Sequence, residues 1–295
     1  AGFTNFTQDH LDYHESFDAY FDAKAGLFER VLAADGTAVI NFDDPRGIEL
    51  ADRADDAGHD LLATGRGDEA DLRLLGQRFD GSGQDIRFSY RGEIYQSRLN
   101  LIGGFQAENI LIAMGLVLAT GTPMGDIVPV LPKLQTVRGR MELAATRNNG
   151  AAVFVDYAHT PDALATALKA LRPHVMGRLV VVFGAGGDRD RGKRPLMGQA
   201  ARDHADVVFV TDDNPRDENP DVIRSEILAA CPEATEVGDR AEAILRGVDA
   251  LGAGDVLLVA GKGHETGQIV GSDVYPFDDV EQASVAVAAL EGRLT

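Results

Sequence analysis

The densest set of groups able to hold a charged small molecule lies in residues 179–216, LVVVFGAGGDRDRGKRPLMGQAARDHADVVFVTDDNPR. A glycine turn at residues 184–187 leads into Asp188, Arg189, Asp190, Arg191, Lys193 and Arg194, and the stretch closes on Asp212, Asp213, Asn214, Pro215 and Arg216. Guanidinium forks beside carboxylates and an Asn amide suit a ligand carrying both carboxylate and ammonium groups. On composition alone, solvated charged loops are an equal alternative.

Lys24 is a second unusual position. Residues 15–33 read as an amphipathic helix with Phe17, Phe21, Lys24, Phe28 and Val31 on one stripe and Tyr20 and Leu27 at its edge. Asp18, Asp22, Glu29 and Arg30 fall elsewhere. The pattern therefore predicts an ammonium at the centre of an apolar face. That is costly unless the amine is paired, deprotonated or modified. A side chain snorkelling to water is the alternative.

These groups need elements to position them. The apolar runs at residues 179–183 and 207–210 read as parallel-type strands whose carboxyl ends carry the charged loops, the usual ligand edge of an open α/β sheet. Strands at 153–155 and 256–260 alternate with helices at 161–172, 195–204, 220–230 and 241–250, with a last helix at 279–291. Thr160-Pro161-Asp162 supplies an N-cap, a proline at the first helical position and a first-turn acid. This half predicts a Rossmann-like, doubly wound sheet. Before it, residues 38–41 read as a strand and 42–45 as a turn opening a helix. Residues 60–64, 72–77, 86–90 and 94–99 read as an antiparallel meander. A helix at 106–119 and another from Pro123 follow. The pattern changes over residues 134–142, giving domains at 1–136 and 137–295.

A net charge of −19 argues against nucleic acid and anionic membranes as partners, though a local basic site can still bind phosphate. No apolar run reaches the length of a membrane span, so no membrane insertion is expected. The single cysteine, Cys231, cannot form an internal disulfide, which suits the cytoplasm. Gly184-Ala185-Gly186-Gly187 fails the G-x-G-x-x-G spacing, and no acidic ribose reader follows, so a dehydrogenase is not expected.

Seven segments are more specific in combination: TQDHLDYH (7–14), YFDAKAGLFE (20–29), VRGRMEL (137–143), VFVDYAHTPDAL (153–164), FGAGGDRDRGKRPLMG (183–198), TDDNPR (211–216) and VAGKGHE (259–265). In this order they resemble the Mur ligases of peptidoglycan synthesis over essentially the whole chain. The nearest branch adds the third amino acid to UDP-N-acetylmuramoyl-L-alanyl-D-glutamate (UDP-MurNAc-dipeptide). The resemblance implies a central ATP-binding domain followed by a Rossmann-like amino-acid-binding domain. It also implies ATP-dependent amide synthesis through an acyl phosphate, with ATP and Mg2+ required. By the same resemblance Lys24, as a carbamate, and His10 are magnesium ligands, and Lys24, Arg140 and His159 are the catalytic positions. Asn109 holds the second Asn of the G-x-F-N-x-x-N adenine signature, and Gln106 departs from the first. Arg140 is the arginine that reaches the terminal phosphate, and Asp156 a nucleotide-side contact. A strand-end turn with a Thr160 cap would account for Asp156 and His159 without either role. Arg189, Asn214, Arg216, Gly261 and Glu265 match positions that bind meso-diaminopimelate, with Asp213 alongside as a further substrate contact. Arg216 is the discriminator, since L-lysine has no distal carboxylate to pair with it.

The phosphate-binding loop of the G-T-N-G-K-T/S type and the uridine-nucleotide domain are not among these residues and are expected before Ala1. The start, AGFTNFT, reads as a strand tail within a larger fold. Ligation by this chain alone is therefore not expected. Another Mur-type or folylpolyglutamate-type ligase is an alternative that the DNPR stretch argues against. A non-catalytic chain that captures diaminopimelate or docks on a partner is a third reading. A monomer is expected.

Overall fold

The computed structural model describes residues 1–6 and 15–293. The segment 7–14, and His10 with it, lies outside the described residues. The chain divides into two compact units, Ala1–Leu134 and Gln135–Thr295.

In the first unit a six-stranded sheet has the order β1 (Gly2–Phe3), β2 (Thr37–Asn41), β3 (Asp60–Gly65), β4 (Leu72–Asp80), β5 (Gly83–Tyr90) and β6 (Glu93–Leu99). The first four strands run parallel, and the last three form an antiparallel meander. The predicted four-stranded meander is corrected here. β3 is parallel to both of its neighbours, and the helix α2 (Pro45–Asp56) supplies the crossover that the β2–β3 pair needs. Alternation along β2 feeds two cores: Ala38 and Ile40 pack with Leu50, Ala51 and Ala54 of α2, while Val39 packs with Leu111 and Ile112 of α3 (Phe105–Ala119). α4 (Met124–Ile127) and a 3-10 turn (Val128–Lys133) close the unit.

α1 (Phe17–Gly26) is capped by Ser16, whose Oγ accepts from Ala19 N at 3.1 Å. A wider π turn, Leu27–Val31, extends it. The buried stripe is Phe21, Ala25 and Phe28. Lys24, one residue off that stripe, is exposed, and its Nζ lies 5.0 Å from the Tyr20 ring centroid. The prediction of a desolvated ammonium is thus corrected. The i, i+4, i+7 contact row passes through Ala25 rather than Lys24, and the widened turn leaves Val31 71% exposed.

The second unit has the sheet order β11 (Thr235–Glu236), β10 (Val207–Val210), β9 (Leu179–Phe183), β12 (Val256–Ala260), β8 (Ala152–Asp156), β7 (Glu142–Thr146). Every pairing is parallel except that of β7 with β8. α5 (Pro161–Leu171), α6 (Lys193–His204), α7 (Pro220–Leu228), α8 (Arg240–Asp249) and α9 (Asp279–Leu290) alternate with the strands, as expected of a doubly wound sheet. β8, β9 and β12 are buried almost throughout, which explains their unbroken Val/Leu runs. β12 enters between β8 and β9, so the chain order reverses there and opens a crevice at the carboxyl ends. A small hairpin, β13 (Gly267–Val270) with β14 (Asp273–Pro276), follows β12.

Candidate functional site

Of the predicted residues in the first unit, Gln106 and Asn109 lie in the first turn of α3, three residues apart and so on one face. Asn109 is exposed and Gln106 half-buried. The turn before them is held by Gln77, whose Nε2 donates to Gly104 O at 2.8 Å and to Gln84 Oε1 at 2.7 Å. Lys24 stands on α1, away from α3 in sequence. Among the described residues no group of three His, Cys, Asp or Glu side chains could hold a metal ion. Lys24 as a carbamate would offer oxygen ligands, but the described residues do not complete a magnesium shell around it.

The second unit gathers its predicted residues at the carboxyl ends of β8, β9, β10 and β12. Asp156 ends β8 and is buried. Its Oδ2 accepts from Met141 N at 2.8 Å and its Oδ1 from Ala158 N at 2.9 Å. Burial pushes its carboxyl above the ordinary range, against the pull of those two amides. The Met141 contact draws the 139–141 segment onto the strand end, with Arg140 exposed and its Cζ 4.8 Å from the Tyr157 ring centroid. Tyr157 also packs, with tilted rings, on His159 and His264, at 4.5 and 5.0 Å between centroids. Burial, then the Glu265 charge, raises its phenol. His159 Nδ1 is 2.8 Å from Tyr157 O. A carbonyl only accepts, so in neutral His159 Nδ1 carries the proton and Nε2 keeps its lone pair. Gly139 has φ +68° and abuts the backbone at 263–264, where a side chain would collide.

The residues expected to bind the amine lie at the ends of β9, β10 and β12. After β9, Gly187 N donates to Asn214 O at 2.9 Å, and the backbones approach so closely that a Cβ at Gly187 would strike Pro215 O. A Cβ at Gly186 would lie 2.8 Å from Arg216 Nη1 and 3.9 Å from Arg189 Cγ, so both arginines flank this glycine. Arg216 Nη1 donates to Gly187 O at 2.8 Å, while Arg189, exposed, donates to Asp188 O at 3.1 Å. Arg216 has φ +52°, a conformation uncommon outside glycine, and bridges the hairpin: its N donates to Ile269 O at 3.1 Å and its O accepts from Gly271 N at 2.8 Å. Asn214 Nδ2 donates to Glu265 Oε2 at 3.0 Å. Gly261, at φ +123°, sits where a Cβ would come within 3.0 Å of Asp213 Oδ2. Arg189, Asp213, Asn214, Arg216, Gly261 and Glu265 thus line one strand-end region, with cationic forks on one side and carboxylates on the other.

Lys262 was not singled out in the sequence, although it lies inside the GKGHE segment. Its Nζ reaches both Asn214 and Asp213. Arg240, at the start of α8, was also missed; nothing in a surface-helix pattern marks an arginine that turns inward.

The sequence patterns of two family domains match the chain: the Mur ligase middle domain over residues 1–117, and the Mur ligase, glutamate ligase domain over residues 139–263. The chain belongs to the Mur ligase family. A UDP-N-acetylmuramoyl-L-alanyl-D-glutamate–2,6-diaminopimelate ligase of Zymomonas mobilis is 51% identical over 291 residues, 97% of this chain and 60% of that protein. The enzyme of the same name from Bradyrhizobium diazoefficiens is 50% identical, over 98% of this chain and 60% of its own length. This Mur ligase chain therefore spans about 60% of the length of the curated relatives it matches. A solved structure of a ligase of that name superposes with a TM-score of 0.68 at 36% identity, over 98% of this chain and 60% of that one. The MurF ligase of Thermotoga maritima in complex with ADP has the same fold, with a TM-score of 0.74 at 19% identity over 100% of this chain and 62% of that one. No helix among the described residues is long and apolar enough to cross a membrane.

Proposed function

We propose that this chain supplies the amine-binding site and part of the nucleotide-binding site of a MurE-type ligase. That ligase joins meso-diaminopimelate to UDP-MurNAc-L-alanyl-D-glutamate at the expense of ATP. The arrangement of Arg216 carries the reading. Arg216, its backbone in the left-handed region, sets its guanidinium beside Gly186 and near Arg189, with Glu265 bonded to the neighbouring Asn214, which suits a ligand end bearing both carboxylate and ammonium.

In this reaction the D-glutamyl carboxylate attacks the γ-phosphorus of ATP, and ADP leaves. The amine of diaminopimelate then attacks the acyl carbon, the amide bond forms, and phosphate departs with the carboxyl oxygen. Arg140 offers an exposed guanidinium for the transferring phosphoryl group. His159, which packs on the same Tyr157 ring as Arg140, offers an acceptor at Nε2. Asn109 and Gln106 present amides for adenine, and Asp156 holds the 139–141 segment in place through Met141 N. Arg189 and Arg216 take the distal carboxylate, while Glu265, Asp213 and the Gly261 carbonyl take the distal ammonium. Mg2+ would neutralise phosphate charge. Lys24 as a carbamate and His10 are its proposed ligands.

Calorimetric titration of meso-diaminopimelate and L-lysine into this chain, with Arg216→Ala as control, tests the reading. Preference for meso-diaminopimelate that vanishes in the control is the expected result. Preference for L-lysine would overturn the substrate assignment.

A further inference from the structure

Lys262 follows Gly261 just past the end of β12 and is fully buried. Its Nζ donates to Asn214 Oδ1 at 2.7 Å and to Gly267 O at 2.9 Å. It lies 3.3 Å from Asp213 Oδ1 and 4.0 Å from Glu265 Oε2. The Asp213 contact is Coulombic, because that buried oxygen makes no hydrogen bond. Burial depresses the ammonium's pKa, and the two carboxylates oppose that shift.

Asn214 Oδ1 also accepts from Ile269 N at 3.0 Å. Both lone pairs of the carboxamide oxygen are therefore used. Turning the amide over would set an NH2 against an ammonium and a carbonyl oxygen against Glu265. The amide is accordingly fixed with Nδ2 towards Glu265. One Nδ2 hydrogen serves Glu265 and the other remains for a ligand. Asn214 can therefore give a hydrogen bond in the pocket but cannot receive one.

We infer that Lys262 is a positioning residue for the amine pocket: it locks the Asn214 carboxamide as a donor, so that the Asn214–Arg216 side takes a carboxylate and rejects an ammonium. This rests on the amine-pocket reading above. Lys262 touches no substrate in this account; it acts through Asn214.

The test uses this chain with Lys262→Met and, should that variant not fold, Lys262→Gln, whose donor is one atom too short to reach Asn214. Two readouts are taken. The first is the Asn214 side-chain amide in 15N NMR, assigned by its loss in Asn214→Asp. The proton bonded to Glu265 is expected to exchange slowly in the parent chain and at least about tenfold faster in the variant, once the amide is free to turn over. The second is the ratio of L-lysine to meso-diaminopimelate dissociation constants, expected to fall by a similar factor. A role in stability alone would weaken both ligands equally and leave that ratio intact, which would overturn the inference. Should the parent chain bind neither amino acid, the proposed function fails instead. The amide exchange then decides the Lys262 inference by itself, and unchanged exchange sinks it.

Discussion

Arg240 and Asp279 meet through two hydrogen bonds, Nε to Oδ1 at 2.8 Å and Nη2 to Oδ2 at 2.7 Å, and neither side chain has any exposure. The same guanidinium donates to Ala260 O at 3.0 Å and to Asp212 O at 3.3 Å. One buried cation therefore ties the ends of β10 and β12, the two strands that deliver Asp213, Asn214 and Gly261, to the start of α9. Removing one partner strands the other's charge in the interior. Asp279→Ala is expected to cost about 3–5 kcal/mol in urea unfolding. The double variant Arg240→Met, Asp279→Leu should lose much less. Equal losses in the two would show that the pair's charge is not what matters.

Gly187→Ala places a methyl group against Pro215 O at a point where backbone meets backbone. The loops after β9 and β10 must separate, at a cost of about 1–3 kcal/mol. Thermal melting should show that loss, together with weaker binding of meso-diaminopimelate. Gly81→Ala, which meets nothing within 4 Å, should change stability by less than about 0.5 kcal/mol.

Glu218 accepts from Arg194 at 2.7 Å and from Asp188 N at 2.6 Å, and Arg194 is fully buried. The Arg194 guanidinium, then the Asp188 amide, holds the Glu218 carboxyl at about 2 against an ordinary 4.5. A folded-state value below the unfolded one means that stability is fully present above about pH 4.5 and is lost as pH falls towards 2. Urea midpoints across that window should decline in the parent chain and decline less steeply in Glu218→Gln. Identical slopes would remove Glu218 from the account.

Lys24 is exposed, so an adduct with CO2 is reachable from solvent but gains little from its surroundings in this chain. With 13C-bicarbonate, a carbamate carbon signal should appear, and it should disappear on degassing. Lys24→Ala should lack it. A signal that survives that substitution belongs to another amine.

The second unit was largely legible because its strands are buried on both faces and alternate with well-capped helices; Thr160, for example, accepts from Ala163 N at 3.3 Å as its position before Pro161 suggested. The short edge elements were not. β7 and the β13–β14 hairpin are half-exposed and carry mixed polar sequences. The face of α1 was misjudged for another reason. Phe17, Lys24 and Val31 share a seven-residue spacing with Phe21 and Phe28 in between, which also fits a stripe through Ala25. An alanine adds little to a periodicity argument even when it lies in the contact row. Lys262 and Arg240 were invisible as buried groups because a cation in a sequence reads as surface until its carboxylate and carbonyl partners are known.

The backbone bridge between Arg216 and the hairpin bears on how such specificity could be moved between proteins. The DNPR tetrapeptide does not hold its own shape: Arg216 N and O are both bonded to residues 269–271, and Gln268 Nε2 reaches Asp213 O at 2.7 Å. Through these bonds the tetrapeptide and residues 268–271 form one bonded unit. Grafting the four residues alone into a ligase of different amine preference should yield a loop without its register. Grafting both segments together should restore the register, with Lys262 and Glu265 still required to orient Asn214.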